Sequence, residues 1–149
     1  MTTTLKSKNT LKPMQIMEKF YAAEAPYVQG GGVAAGLSFD DVAATLHPDV
    51  TLHESPDLPW GGTYRGHAGW QDFFSKMIDA FTALEIIDIH PFEQDDTVVI
   101  YCKMTTHSRA NGTVMTHPMV QVMTMKDDRI FEARAFYWNV PDYIAAAGL

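Results

Sequence analysis

The stretch VQVMTMKDDRIFEARAFYW, residues 120–138, decides the fold. Strand-forming side chains run up to Asp127-Asp128 and resume after it, so two strands fold back about that pair. Working outward, a period of two holds from Leu84 onward. It predicts strands over 84–93, 97–109, 113–125 and 129–139. Their joints are Gln94-Asp95-Asp96, Asn111-Gly112 and Asp127-Asp128, and Asn-Gly between strand-like runs signals a hairpin. Before Leu84 the period is helical. Trp70, Phe73, Phe74, Met77, Ile78 and Phe81 form one apolar helix face that predicts packing against the sheet. Pro13 opens an earlier helix carrying Ile16, Met17, Phe20, Tyr21 and Glu24, stopped by Gly30–Gly32. That glycine run has no strand before it and no Lys-Ser/Thr after it, so it is not a phosphate loop.

Between these helices, Ser38 caps a short helix reaching about Leu46, His47-Pro48-Asp49 is a turn, and Val50–Glu54 is a strand. SPDLPWGGTYRG, residues 55–66, reads as a loop, and a last short helix lies near Asp142–Ala147. Helices followed by an antiparallel meander predict an α+β fold, a curved sheet with helices on one face and a concave mouth suited to a small ligand.

The length of 149 residues fits one domain, expected over 13–149 after a loose polar tail at 1–12. Hydrophobic residues at 46% are too many for a disordered chain. A net charge of −7 disfavours nucleic acid and anionic membrane surfaces as partners. The start, MTTTLKSKNTLK, carries no apolar leader, and the expected location is the cytoplasm. Cys102 is the single cysteine, and the six histidines (His47, His53, His67, His90, His107, His117) show neither HxH nor HExxH spacing, so no metal site is expected.

HPDVTLHESPDLPWGGTYRGHAGWQDFF at 47–74, TTH at 105–107 and the 120–138 hairpin resemble the nuclear transport factor 2-like superfamily, and within it the SnoaL-like polyketide cyclase group. The resemblance spans about residues 13–147. It implies a cone-shaped barrel, a curved and mainly antiparallel sheet wrapped around three helices, often a homodimer through the outer sheet face. It also implies a hydrophobic small-molecule substrate and no cofactor. The fold hosts isomerases, cyclases, lyases and binding modules alike.

Laid on the ketosteroid isomerase pattern, the general-base carboxylate falls on Glu54. The chemistry agrees, because abstracting a proton beside a carbonyl needs a carboxylate whose pKa an apolar pocket raises. Gln121 falls where that pattern carries a protonated acid and the cyclase pattern an aspartate; a glutamine can donate to an oxyanion but cannot take a proton. His107 matches the cyclase group's Thr-His signature. A two-residue turn at Asn111-Gly112 pairs Thr106 with His117, and a three-residue loop pairs His107 with His117. His107 is expected to relay a proton or orient the ligand. In a regular strand Tyr101, Lys103 and Thr105 share its face, which makes Tyr101 and Lys103 expected substrate contacts, with Lys103 either paired with Glu54 or snorkelling to solvent. Either Phe20 or Tyr21 stands where the isomerase places its oxyanion tyrosine, and only Tyr21 has the hydroxyl. Trp60 and Tyr64 are expected to cover the mouth. Tyr137 is expected inside, opposite Met119 and beside Ala133 and Ala135, with Phe74 and Met123 among the apolar walls. A limonene epoxide hydrolase set fails here, since its last aspartate falls on Ala135. The reading is a cofactor-free acid/base enzyme on a hydrophobic carbonyl compound, by isomerisation, cyclisation or elimination. The alternative is a non-catalytic binding or dimerisation module.

Overall fold

Pro13 opens α1 (Pro13–Gln29), where its fixed φ suits the first helical position. The helix turns Ile16, Met17, Phe20, Tyr27 and Val28 inward. It ends at Gln29 with Gly30 as its cap, and Gly31 and Gly32 follow with φ 89° and 61°, left-handed backbone that favours glycine. The computed structural model describes residues 8–149. Of the expected tail at 1–12, residues 1–7 lie outside the described residues. Asn9, Thr10 and Leu11 are held: Asp128 accepts from the Thr10 and Leu11 N–H groups at 2.7 and 2.9 Å, and Asn9 donates to Asp96 at 2.9 Å.

The helix expected from Ser38 to Leu46 is a single turn, α2 (Asp40–Ala43). It stops early because β1 (Leu46–Glu54) starts early and takes in His47-Pro48-Asp49, the expected turn. Leu46 pairs with Ile130, and this tertiary pairing overrides the local turn signal. The Pro/Gly-rich loop conceals β2 (Gly62–Arg65), antiparallel to the end of β1, with Glu54 opposite Gly62. Then come α3 (Gly66–Ala80), β3 (Phe81–Gln94), β4 (Thr97–Ser108), β5 (Val114–Lys126), β6 (Arg129–Tyr137) and α4 (Val140–Ala146).

The six strands order as β2-β1-β6-β5-β4-β3, with β1 and β6 parallel and every other pair antiparallel. At the β5–β6 turn Asp127 and Asp128 take φ 54° and 57°, a type I′ reversal whose twist matches the strands. The Asn-Gly joint is not tight: residues 109–113 connect β4 to β5, and the Ser108 N–H donates to the Thr113 carbonyl at 2.9 Å. His107 therefore pairs with Val114, and His117 with Met104. Neither expected pairing of His117 forms. The sheet curves around α1 and α3, giving the expected α+β cone, with the core between its concave face and those helices.

Candidate active site

Pleating sorts each strand into an inner and an outer set. On β5 the inner set is His117, Met119, Gln121, Met123 and Met125; on β4 it is Cys102, Met104, Thr106 and Ser108. A cavity lies between these strands and the helices. Glu54, Gln121, Ala135 and Tyr137 line it from the sheet, with Leu52, Met104, Met119 and Met123. Phe20, Glu24 and Val28 line it from α1, and Trp70, Phe73, Phe74 and Met77 from α3. The space within these walls, part of it open to solvent, is about 550 Å³.

Glu54 is the last residue of β1 and only 7% exposed. The Tyr137 hydroxyl donates to its Oε2 at 2.8 Å. Burial pushes the Glu54 carboxyl up to about 8, against the pull of that hydrogen bond. Glu54, Ala135 and Tyr137 also face an outer groove beside His53, Pro56 and Thr63, so the carboxylate stands between a dry interior and solvent. Across the cavity the Tyr21 hydroxyl donates to Gln121 Oε1. Among the described residues the Gln121 amide N–H groups have no protein acceptor. Phe20 lines the cavity, whereas Tyr21 reaches it only through Gln121.

Glu24 is the residue that sequence reasoning missed as a site group. Burial first, and the charge of Glu54 second, push its carboxyl up to about 8. The signal was present: Phe20, Glu24 and Val28 are spaced four apart and share one helix face.

Several sequence expectations need correcting. Tyr101, Lys103 and His107 lie on the outer face of β4, exposed, because β4 buries its even-numbered residues. Lys103 pairs with Asp88 at 3.1 Å on that face. Trp60 and Tyr64 do not line the cavity. Trp60 packs edge-on against Phe81 and Tyr143, and the Tyr64 hydroxyl donates to the Trp60 carbonyl at 2.6 Å, so both are buried structural residues beneath the loop. Among the described residues no three His, Cys, Asp or Glu side chains gather as a metal-binding group, and no helix is long and apolar enough to cross a membrane.

The family model of the SnoaL-like domain matches residues 27–133, more than half of the chain. The chain belongs to the SnoaL-like domain family. No curated protein sequence matches it. Solved structures similar to this SnoaL-like domain include TerC co-crystallised with polyporic acid, at TM-score 0.76 and 18% identity over 92% of this chain and 98% of that one. A nuclear transport factor 2-like protein from Burkholderia xenovorans aligns at TM-score 0.72 and 17% identity, covering 93% and 99%. A protein with a ketosteroid isomerase-like fold from Catenulispora acidiphila, in complex with trimethylamine, aligns at TM-score 0.64 and 17% identity, covering 93% and 95%. At these identities the likeness is one of fold.

The buried carboxyl makes stability depend on pH. Glu54 is raised from 4.5 to about 8 on folding. Between those values the folded SnoaL-like domain holds a proton that the unfolded chain has released, so stability falls as pH rises through that window. Glu24 acts in the same direction. His117 acts oppositely: burial lowers its pKa from 6.5, so it costs stability as pH falls below that value. Denaturant unfolding across pH 5–8 is expected to show a declining stability, flattened in Glu54→Gln. An unchanged slope in that variant would mean that Glu54 is ionised at no cost.

Proposed function

We propose that this chain is a cofactor-free general acid/base enzyme acting on a hydrophobic carbonyl compound of polyketide or terpenoid size. The reaction is an isomerisation, cyclisation or elimination. The observation that carries this reading is the Glu54 carboxyl, desolvated at the edge of an apolar cavity with the Gln121 amide on the same concave sheet face, across the intervening strand β6. In its ionised form Glu54 takes a proton from carbon beside the carbonyl. The Gln121 amide donates to the oxygen as negative charge develops there. Tyr21 fixes which way that amide points, and is a positioning residue. His107, on the outer face, takes no part. The methionine walls adapt to irregular ligands, and apolar burial contributes roughly 25 cal/mol per Å². TerC, of like fold, was crystallised with polyporic acid, which supports a small organic ligand for this cavity.

The test is a bicyclic β,γ-unsaturated ketone in D₂O followed by proton NMR. The expected result is deuterium entering the α-carbon and conversion to the conjugated isomer. Binding without exchange above the buffer rate would favour a non-catalytic binding module. The second reading has one observation in its favour, that Gln121 cannot itself transfer a proton.

We also propose a homodimer through the outer sheet face. Val99, Tyr101 and Phe136 are exposed there, and Trp138 beside them is 83% exposed. Exposed apolar side chains grouped on one face are commonly covered by a partner. Sedimentation equilibrium is expected to show a dimer that Trp138→Glu shifts to monomer. A monomeric wild type would overturn this.

A further inference from the structure

Glu24 and Glu54 reach the same cavity from opposite layers, one from α1 and one from the end of β1. Neither forms an ion pair with a Lys or Arg among the described residues, and Glu24 has no hydrogen-bond partner there either. Among the described residues the one Lys or Arg lining the cavity is Arg134, exposed at its rim. The other titratable groups nearby are Tyr21 on α1, Cys102 on β4, Tyr137 on β6 and Tyr143 on α4, with His117 stacked on Tyr143. Burial raises the pKa of each tyrosine and of the Cys102 thiol, and lowers that of His117. The sides formed by α3 and β3 offer only apolar or aromatic groups. One of these, Trp70, is 3% exposed and its indole N–H has no partner, which leaves an acceptor-bearing ligand something to satisfy.

Two carboxyls lining one largely apolar space, whose cation Arg134 stays in solvent at the rim, do not readily ionise together. We propose that Glu24 and Glu54 work as a pair with divided roles: Glu54 ionised as the base, and Glu24 protonated as the catalytic acid that serves the substrate oxygen. This rests on the acid/base reading of Glu54 given above. The assignment follows from their partners. Tyr137 donates to Glu54 and steadies its charged form, whereas Glu24 has no donor and faces the charge of Glu54.

The step balances. Glu54 takes the α-proton, the C–H electron pair becomes a C=C bond, the carbonyl π pair moves onto oxygen, and oxygen takes the Glu24 proton. In the reverse half the enol O–H returns its proton to Glu24, and Glu54 delivers its own proton to the γ-carbon. Both carboxyls end as they began, and the double bond has moved. Gln121 donates to the second lone pair of the same oxygen throughout.

The experiment combines carbon-13 NMR titration of labelled glutamate carboxyls with pH–rate profiles for the bicyclic ketone, in wild type, Glu24→Gln and Glu54→Gln. Glutamine keeps the shape and leaves no charge to bury, and a wild-type-like NMR fingerprint confirms the fold. In wild type, two carboxyls are expected to titrate well above the ordinary range. Removing the charge in Glu54→Gln is expected to lower the Glu24 midpoint. Glu24→Gln is expected to lose the alkaline limb of the rate profile and about a hundredfold in rate, keeping the acid limb set by Glu54. A Glu24 midpoint unmoved by Glu54→Gln overturns the pair, whatever the turnover. An unaltered rate and alkaline limb in Glu24→Gln overturn its role as acid. Coupled titration with no turnover in wild type overturns the acid/base reading of the site, and with it the catalytic role of Glu24.

Discussion

Glu54→Gln is expected to lower kcat by about 10²–10⁴, the range general acid/base groups contribute, while the protein still binds hydrophobic ketones. Glutamine matches the shape of the carboxyl and can accept the Tyr137 hydrogen bond through its amide oxygen, so the cavity wall keeps its form. What it cannot do is take a proton from carbon. In wild type the rate rises with pH as the Glu54 carboxyl, pushed up to about 8, ionises. In the variant that limb is expected to vanish. Steady-state rates across pH, with ligand affinity measured separately, check both halves. A variant with an undiminished kcat would show that another group is the base.

Tyr143→Ala is expected to cost about 3–5 kcal/mol, the range for deleting a large core aromatic. Tyr143 is 0% exposed and is the buried anchor of α4. Its ring stacks on Phe81 at 5.6 Å, on His117 at 4.6 Å and on Tyr137 at 5.0 Å, and meets Trp60 edge-on. A seven-residue helix does not hold itself in water, so without that ring α4 detaches and the packing behind Tyr137 loosens. Tyr143→Phe is expected to behave in the opposite sense. The Tyr143 hydroxyl is buried with no hydrogen-bond partner among the described residues, and removing it is expected to relieve about 1 kcal/mol. Denaturant unfolding of the two variants measures both. A destabilised Tyr143→Phe would show that the hydroxyl is satisfied, by a bound water or otherwise.

The pattern of elements was legible because it is carried by period and by turn chemistry. The 3.6-residue spacing from Trp70 to Ile78 marks α3, and Asp127-Asp128 marks the β5–β6 reversal. The errors occurred where a partner distant in sequence overrides local preference. His47-Pro48-Asp49 has the composition of a turn, yet β6 lies alongside and draws it into β1. Gly62–Arg65 reads as loop, and is a strand only because β1 offers it a free edge. His107 was expected at the site because of the Thr-His signature; β4 buries Val98, Ile100, Cys102 and Met104, and that alternation turns His107 outward.

The site divides in the same way. Glu54 and Gln121 were nominated through the family resemblance, and Phe74 and the methionines through residue type and position on their elements. That Glu24 joins Glu54 depends on how α1 crosses the concave face of the sheet. By itself the sequence determined the long helices, the four-strand meander and the α+β class, since these follow from local periodicity and the need to bury one side of each element. Only the tertiary structure decided which carboxyl meets which, and in how dry a space. Contact and desolvation arise between segments far apart in the chain, and no local pattern encodes them.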